Sequence, residues 1–365
     1  MGHDIVLMLL SFVIIIVGAE LFTNGVEWLG VRLRLSEGAV GSVLAAVGTA
    51  LPETLIPFVA LVLFRGEDSH EVGLGAILGA PFMLATAAFF VTTLAAWVYR
   101  KRRVTSWRLA VNRKVLTRDL SFFLPLYAAA IGVSFSPVGH WARPLLAAAL
   151  VGCYAYYVYL NLREVGEGEK DEPLHLNVMW AALPLLPPAD TPAHRARREL
   201  IADRQPRLRA ALSQVLLALG LIMGGAYVFV DAVRGVSQVL GLPPMVIALV
   251  VAPLATELPE KFNSVIWMRQ GKDTLALGNI TGAMVFQATF PVTLGLLLTP
   301  WHFGMNPVGI CALLSATIAL VSALTLLVTV RSSRGDTMGP WALGVGIIWW
   351  LLFIAFVMAT VILRH

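Results

Sequence analysis

The stretch Ala-Ala-Val-Gly-Thr-Ala-Leu-Pro-Glu-Thr-Leu-Ile-Pro, residues 45–57, places a glutamate and two prolines inside a long apolar run. A second stretch, Ala-Pro-Leu-Ala-Thr-Glu-Leu-Pro-Glu, covers residues 252–260. Both contain Thr-x-Leu-Pro-Glu, which ends at Glu53 in the first copy and at Glu260 in the second.

The similarity extends upstream of these two motifs. The offset of 207 residues that relates Glu53 to Glu260 also relates Gly18 to Gly225, and the interval needs no gap. Because self-similarity at a fixed offset is typical of a duplicated structural unit, the chain is predicted to contain an internal repeat.

The composition is that of a polytopic membrane protein. The chain has 365 residues, of which 58% are hydrophobic and 13% charged, with a mean hydropathy of +0.78. A soluble domain carries about 25% charged residues, so the lipid bilayer is the expected surrounding.

No basic patch interleaved with aromatic residues is present, and nucleic acid is therefore not an expected partner. Cys153 and Cys311 lie in apolar segments, and no resident cofactor is expected.

Apolar segments of about 20 residues can cross a bilayer, and ten occur here. They lie near 5–31, 38–64, 71–99, 119–136, 142–161, 210–234, 243–268, 273–298, 305–330 and 340–362. The predicted fold is an all-α polytopic membrane protein with ten transmembrane helices. We predict a first five-helix repeat at 1–162, a cytoplasmic linker at 163–209 and a second five-helix repeat at 210–365.

Lysine and arginine residues determine the predicted orientation, because basic connections stay on the cytoplasmic side. The connection 100–118 alone carries eight of them. With this connection inside, 22 Lys and Arg residues lie in inside connections and four in outside ones, and both termini lie outside. The first repeat then starts outside and the second inside, which is an inverted-topology repeat. The short loops favour a prokaryotic plasma membrane.

The glutamates of the two motifs are the first candidates for a functional site. A charged group at mid-membrane costs on the order of 3 kcal/mol or more, so a carboxylate there is a functional candidate by default. Glu53 and Glu260 fall mid-span, each directly after a proline. Proline has no N–H, so the carbonyls four residues before the prolines, those of Gly48 and Ala255, lose their helical partners.

Each glutamate also has a threonine four residues earlier, Thr49 or Thr256, and hence on the same helix face. Each half therefore offers a carboxylate, a hydroxyl and a freed carbonyl. Such an all-oxygen set suits hard cations: sodium, calcium or magnesium, or protons in their place. For a lone glutamate the alternative is a protonated packing residue, but two copies in an inverted repeat favour an ion site.

Small residues begin the third helix of each repeat, where they let helices approach closely. They are Gly75, Gly79 and Ala80 in the first repeat and Gly278, Gly282 and Ala283 in the second. We interpret the glycines as packing residues.

With these motifs placed, the chain resembles the calcium/cation antiporter superfamily, which includes the sodium/calcium exchangers. The family signature is Gly-Thr-Ser-Leu-Pro-Glu in helices two and seven. The chain has Gly-Thr-Ala-Leu-Pro-Glu at 48–53 and Ala-Thr-Glu-Leu-Pro-Glu at 255–260. A Gly-Asn-x-x-Gly-Ser-Asn-type motif follows in the family's helices three and eight, at the glycine-rich segments here.

The resemblance implies an antiporter with a central ion site between the repeats. Glu53 and Glu260 would be the main carboxylate ligands of the cation. The implied shell is completed by hydroxyls and backbone carbonyls of Gly48, Thr49, Ala255 and Thr256. In the family, helices one and six are thought to slide across the other eight, and Gly18 and Gly225 would suit such a contact.

The chain departs from the family pattern beside these ligands. The serine next to the threonine is replaced by Ala50 in one half and by Glu257 in the other. The serine and Asn or Asp positions of helices three and eight hold Ala80 and Leu84, and Ala283 and Gln287. The first half thus loses three side-chain oxygens, whereas the second gains a carboxylate at Glu257 and keeps an amide oxygen at Gln287 as further cation-binding candidates.

Lys261 lies four residues after Glu257, where the two side chains can pair. Three carboxylates and one ammonium give the site a formal charge near −2, which one divalent cation or two protons would neutralise. Lys261 is therefore a coupling candidate, either as a proton-coupling group or as a tethered substitute for a sodium ion. The alternatives are a plain salt bridge to Glu257 or snorkelling towards the inner face.

The sequence thus predicts a secondary active antiporter, not an enzyme, whose partners are inorganic cations. It would exchange calcium, or another hard cation, for sodium or protons by alternating access. An intramembrane enzyme with paired carboxylates lacks a supporting nucleophile or cofactor motif. The remaining alternative is a divergent, non-transporting member that acts as a membrane sensor or scaffold, because ligands are missing at Ala80, Leu84 and Ala283.

Overall fold

The computed structural model describes residues 2–32, 45–64, 66–135, 141–164, 208–333 and 337–362. Helices form most of this part of the chain. They are α1 (Gly2–Arg32), α2 (Ala45–Val62), α3 (Glu67–Met83), α4 (Phe89–Val98), α5 (Arg113–Gly132), α6 (Ala142–Glu164), α7 (Leu208–Leu240), α8 (Pro244–Thr256), α9 (Leu258–Gln270), α10 (Asp273–Gln287), α11 (Phe290–Leu298), α12 (Pro307–Ser332), α13 (Trp341–Gly344) and α14 (Gly346–Ile362). A π-helical turn, Leu84–Ala88, joins α3 to α4. Strands β1 (Leu109–Ala110) and β2 (Thr337–Met338) pair antiparallel.

Eight helical stretches within the described residues are long and apolar enough to cross a bilayer. They are Gly2–Val26, Glu67–Val98, Arg113–Phe135, Ala142–Asn161, Leu208–Leu240, Asp273–Leu298, Pro307–Ser332 and Trp341–Ala359. Two shorter apolar helices, Leu51–Val62 and Pro244–Leu254, coincide with the second and seventh predicted segments. The predicted all-α polytopic membrane fold is therefore confirmed, and the described helices are consistent with ten spans.

Several predicted boundaries differ from the observed ones for local reasons. The fourth span begins at Arg113 and not at 119, because the Asn112 side chain caps the helix by accepting from the Lys114 N–H. The predicted segment 273–298 is divided into α10 and α11, since Pro291 lies in the first turn of α11, where its missing N–H is tolerated. The linker predicted at 163–209 lies outside the described residues except at its two ends, so its role and the domain division stay predictions.

The glycines at matching repeat positions lie where α1 packs against α7. A Cβ atom added to Gly18 would lie 2.8 Å from Ile222 Cγ1, and one added to Gly225 would lie 2.8 Å from Ile15 Cγ1. The repeat offset of 207 residues exchanges these two contacts. The residue numbers of the partners on α7 decrease as those on α1 increase. The two helices are therefore antiparallel, as an inverted repeat requires.

Three connections that were predicted to lie inside meet at one end of the molecule. Strand β1 belongs to the connection 100–118, and β2 follows α12. The guanidinium of Arg103 contacts Asp273 at the start of α10. At the opposite end, Glu71 Oε2 lies 3.5 Å from the Met245 nitrogen. These contacts agree with the prediction that the three connections share one side of the membrane.

The packing role of the first glycine-rich segment is confirmed against α8. A Cβ atom at Gly75 would lie 2.3 Å from the Met245 carbonyl oxygen, and one at Gly79 would lie 2.2 Å from that of Leu249. Pro253 lacks the N–H that would otherwise bind the Leu249 carbonyl within the helix. This freed carbonyl faces Gly79, so only a glycine allows the observed approach. By contrast, a Cβ at Gly278 or Gly282 would meet nothing closer than 3.4 Å.

Replacing Gly79 with alanine is expected to destabilise the protein. Its methyl group would enter a backbone contact that cannot move without displacing α8, and overpacking of this kind costs about 1–3 kcal/mol. Denaturant unfolding in mixed micelles measures the effect. Gly152→Ala is the matched control, because a Cβ at Gly152 meets nothing within 4 Å. Equal stability of the two variants would contradict the close approach of α3 and α8.

Candidate cation-binding site

The second Thr-x-Leu-Pro-Glu motif forms a break in the seventh span. Helix α8 ends at Thr256 and α9 begins at Leu258, with Glu257 between them at φ −92° and ψ 7°. Pro259 lies in the first turn of α9, where it has no N–H to donate to the carbonyl four residues earlier. Glu257 still takes part in two backbone hydrogen bonds: its N–H donates to the Pro253 carbonyl at 3.1 Å, and its carbonyl accepts from the Lys261 N–H at 3.2 Å.

The first motif differs from the second, although both contain the same proline. Helix α2 continues through Pro52 and Pro57 without a break. The position that matches Pro253 in the first repeat is Ala46. The second copy therefore carries one more helix-disrupting residue just before its motif, and it is the copy that breaks.

The structure brings the glutamates of the two halves into one buried cluster. Only 4% of Glu53 is exposed, 0% of Glu257 and 2% of Glu260. The carboxylate of Glu53, from the first repeat, interacts electrostatically with Glu260, Glu257 and Lys261 of the second. The charges of the two motifs thus act on one another across the repeats, whereas their role as cation ligands stays a prediction. Within the described part of the chain, no group of three Asp, Glu, His or Cys side chains converges as a resident metal centre would.

The carboxylate of Glu53 has unusual surroundings. Neither Oε1 nor Oε2 has a hydrogen-bond partner among the described residues. Burying a charged group without pairing is costly, and an unsatisfied buried polar atom calls for an explanation such as an ion. A cation between Glu53 and the second half would supply the missing interaction.

Lys261 pairs with Glu257 inside this cluster. Its Nζ atom lies 3.1 Å from Glu257 Oε2, and the two side chains are 11% and 0% exposed. The same Nζ donates to the Pro253 carbonyl at 3.5 Å, across the helix break. The ammonium therefore contacts a carboxylate and a main-chain carbonyl, and it does not snorkel to the surface.

Two polar side chains support the second motif. The Thr256 hydroxyl donates to the Ala252 carbonyl at 3.3 Å and keeps its oxygen lone pairs for a further partner. Asn279, in the glycine-rich segment of α10, donates from Nδ2 to the Glu260 carbonyl at 3.3 Å. This contact joins α10 to the backbone of Glu260, the second glutamate of the repeat.

Gln287 is buried at the end of α10, and neither of its amide atoms has a hydrogen-bond partner within the described ranges. An unpaired amide oxygen is a hard donor that fits a cation ligand. The predictions for Gly48, Thr49 and Ala255 concern residues whose side-chain surroundings lie outside the described part of the chain. Their roles stay predictions.

Asp119, a buried carboxylate in α5, is not among the site residues predicted from the sequence. Asp119 accepts hydrogen bonds from the Tyr157 hydroxyl at 3.0 Å and from the Thr281 hydroxyl at 2.7 Å. It thereby joins α5 and α6 to α10, close to the glycine-rich segment. The rule for intramembrane carboxylates applies to Asp119 as well, but the basic run before it placed it at the edge of the predicted span.

A buried ion pair that was also not predicted from the sequence lies outside the carboxylate cluster. Arg103 Nη2 lies 2.6 Å from Asp273 Oδ2, and both side chains are 1% exposed. The same oxygen accepts from the Ala110 N–H at 2.8 Å. The pair fixes the connection 100–118 to the start of α10, and nothing local in the sequence indicates it.

Comparison with known proteins agrees with this geometry. A family profile described as "Sodium/calcium exchanger protein" matches residues 3–163 and 210–362, which are the two predicted repeats without the linker. The resemblance inferred from the two motifs is thereby confirmed.

Individual relatives are distant but cover most of the chain. CaxA of Alkalimonas amylolytica is 23% identical over 87% of this chain and 88% of its own. The sodium/calcium exchanger MaX1 of Methanosarcina acetivorans is 21% identical over 97% of both. The crystal structure of the H+/Ca2+ exchanger CAX covers 98% of this chain and 86% of its own, with a TM-score of 0.68 and 14% identity. That likeness shows a shared fold.

Proposed function

Because the chain belongs to the sodium/calcium exchanger protein family, we propose that it is a cation antiporter of the plasma membrane. It exchanges calcium, or another hard cation, for sodium or protons. The family consists of exchangers, which agrees with a transporter and not an enzyme. The relatives described as a sodium/calcium exchanger and as an H+/Ca2+ exchanger support both counter-ions equally.

The observation that carries this proposal is the buried carboxylate of Glu53 in the field of Glu257 and Glu260. The two halves of an inverted repeat contribute these groups from opposite directions, so the cluster lies between the repeats. Hard cations prefer such oxygen donors. Glu53 and Glu260 bind the ion, and Gln287, Thr256 and main-chain carbonyls complete its shell.

Alternating access is supported by the arrangement of α1 and α7. They cross through Gly18 and Gly225, and their outward faces expose apolar side chains suited to lipid, including Val6, Val13, Leu212 and Leu216. Because these small-residue contacts join α1 and α7 to each other, the two helices can move across the remaining helices as one unit. The connection 100–118 faces the cytoplasm, and both termini face outside.

Flux into proteoliposomes tests this function. Uptake of 45Ca2+ is measured under an imposed sodium gradient and then under an imposed proton gradient. We expect uptake above that of protein-free vesicles under at least one of them, and the effective gradient identifies the counter-ion. Absence of uptake under both would contradict calcium exchange, and the same assay with Mg2+, Mn2+ and Na+ would then separate another cation from a non-transporting member.

A further inference from the structure

The Lys261 ammonium lies beside the Glu257 carboxylate, where a mobile cation would bind in an ion-transport site that lacked the lysine. We propose that the Lys261 ammonium is a tethered monovalent cation, which permanently neutralises Glu257 and reduces by one the number of monovalent ions that the site binds. This inference rests on the proposed function, because it concerns the same site.

The contacts of Lys261 Nζ are those of a bound cation. It lies 3.1 Å from a carboxylate oxygen and 3.5 Å from the Pro253 carbonyl at the helix break. Main-chain carbonyl oxygens at a helix break also coordinate sodium in other transporter folds. The ammonium therefore uses donors that a free ion would use, and it reaches them on a side chain attached to the same helix.

The pair is buried and does not belong to the protein surface. The Lys261 and Glu257 side chains are 11% and 0% exposed. The charges of both groups act on Glu53 in the other repeat. A buried ion pair contributes little net stability compared with apolar residues of similar size, so stability alone gives a weak reason for placing one beside two further carboxylates.

Charge balance gives the consequence. Glu53, Glu257, Glu260 and Lys261 together carry a formal charge of −2, so one divalent or two monovalent cations neutralise the site. Without the ammonium the charge is −3, and one more monovalent cation is needed, both with calcium bound and without it. Lys261 thus determines how many ions the protein binds.

The test counts bound ions on purified protein with 22Na+ and 45Ca2+ at fixed pH. Lys261→Met keeps the length of the side chain and removes its charge. We expect it to bind one more Na+ per chain than the wild type without calcium, and to retain one Na+ at saturating calcium, where the wild type retains none. An unchanged Na+ count in a variant that still binds calcium would overturn the proposal.

The double variant Glu257→Gln/Lys261→Met keeps the test decisive if the single variant does not fold. It removes one positive and one negative charge, so its Na+ count should equal that of the wild type. A count lower by one would mean that Glu257 binds a mobile ion in the wild type and would overturn the tethered-ion proposal. A wild-type protein that binds neither ion would instead contradict the proposed function itself.

Discussion

Replacing Glu53 with glutamine is expected to abolish calcium flux. The substitution keeps the size of the side chain but removes the one carboxylate that the first repeat contributes to the cluster. A unit charge a few ångströms from a cation contributes on the order of 4 kcal/mol at an effective dielectric constant of about 20. Since about 1.4 kcal/mol corresponds to a factor of ten in affinity, we expect a loss of roughly 1,000-fold, measured as initial 45Ca2+ uptake at fixed protein density.

The control for this variant is Glu67→Gln. Glu67 is an exposed carboxylate at the start of α3, outside the cluster, so its neutralisation should leave uptake within about twofold of the wild type. Both variants make the same chemical change. A difference in 45Ca2+ uptake between them therefore reflects the position of Glu53 in the cluster and not the loss of a negative charge in general. Equal uptake by Glu53→Gln and Glu67→Gln would show that Glu53 is not a ligand.

Replacing Asp273 with alanine is expected to cause the largest loss of stability. The change leaves the buried guanidinium of Arg103 without its counter-charge and removes the acceptor of the Ala110 N–H. Breaking a buried ion pair by removing one partner costs about 3–5 kcal/mol. Denaturant unfolding in mixed micelles should show this loss.

Two further variants show whether the loss comes from the unpaired charge. Asp68→Ala removes an exposed aspartate from the first turn of α3 and should change stability by no more than about 0.5 kcal/mol. Arg103→Met/Asp273→Ala removes both charges and should recover most of the loss. A double variant as unstable as Asp273→Ala would show that lost hydrogen bonds, such as those with the Ala110 N–H and the Arg108 carbonyl, and not the unpaired charge, account for the instability.

The repeat and the main carboxylates could be predicted from the sequence, because both depend on local patterns. The spans follow from the length of their apolar runs, and the inverted topology follows from the basic residues in their connections. The antiparallel contacts of Gly18 with Ile222 and of Gly225 with Ile15 agree with an inverted topology. Glu53 and Glu260 were identified because a carboxylate inside a long apolar run is rare, whatever the run later packs against.

The remaining features depend on contacts between distant parts of the chain. Asp119 meets Thr281, and Arg103 meets Asp273, only after the spans have packed. The identical prolines of the two motifs gave no reason to expect a break in one copy alone. That difference depends on Pro253, which stands where the first repeat has Ala46. Pro253 also frees the Leu249 carbonyl, and the approach of this carbonyl explains why residue 79 is a glycine. Such features follow from the neighbours of a residue, which a single sequence does not display.

The central claim is that the two halves share one cation between Glu53 and Glu260. It is tested most directly by equilibrium binding of 45Ca2+ to the purified wild type and to Glu53→Gln and Glu260→Gln. We predict one Ca2+ per chain in the wild type and the loss of that same ion in either variant. A wild type that binds two ions, with each variant losing only one of them, would contradict a shared site between the repeats.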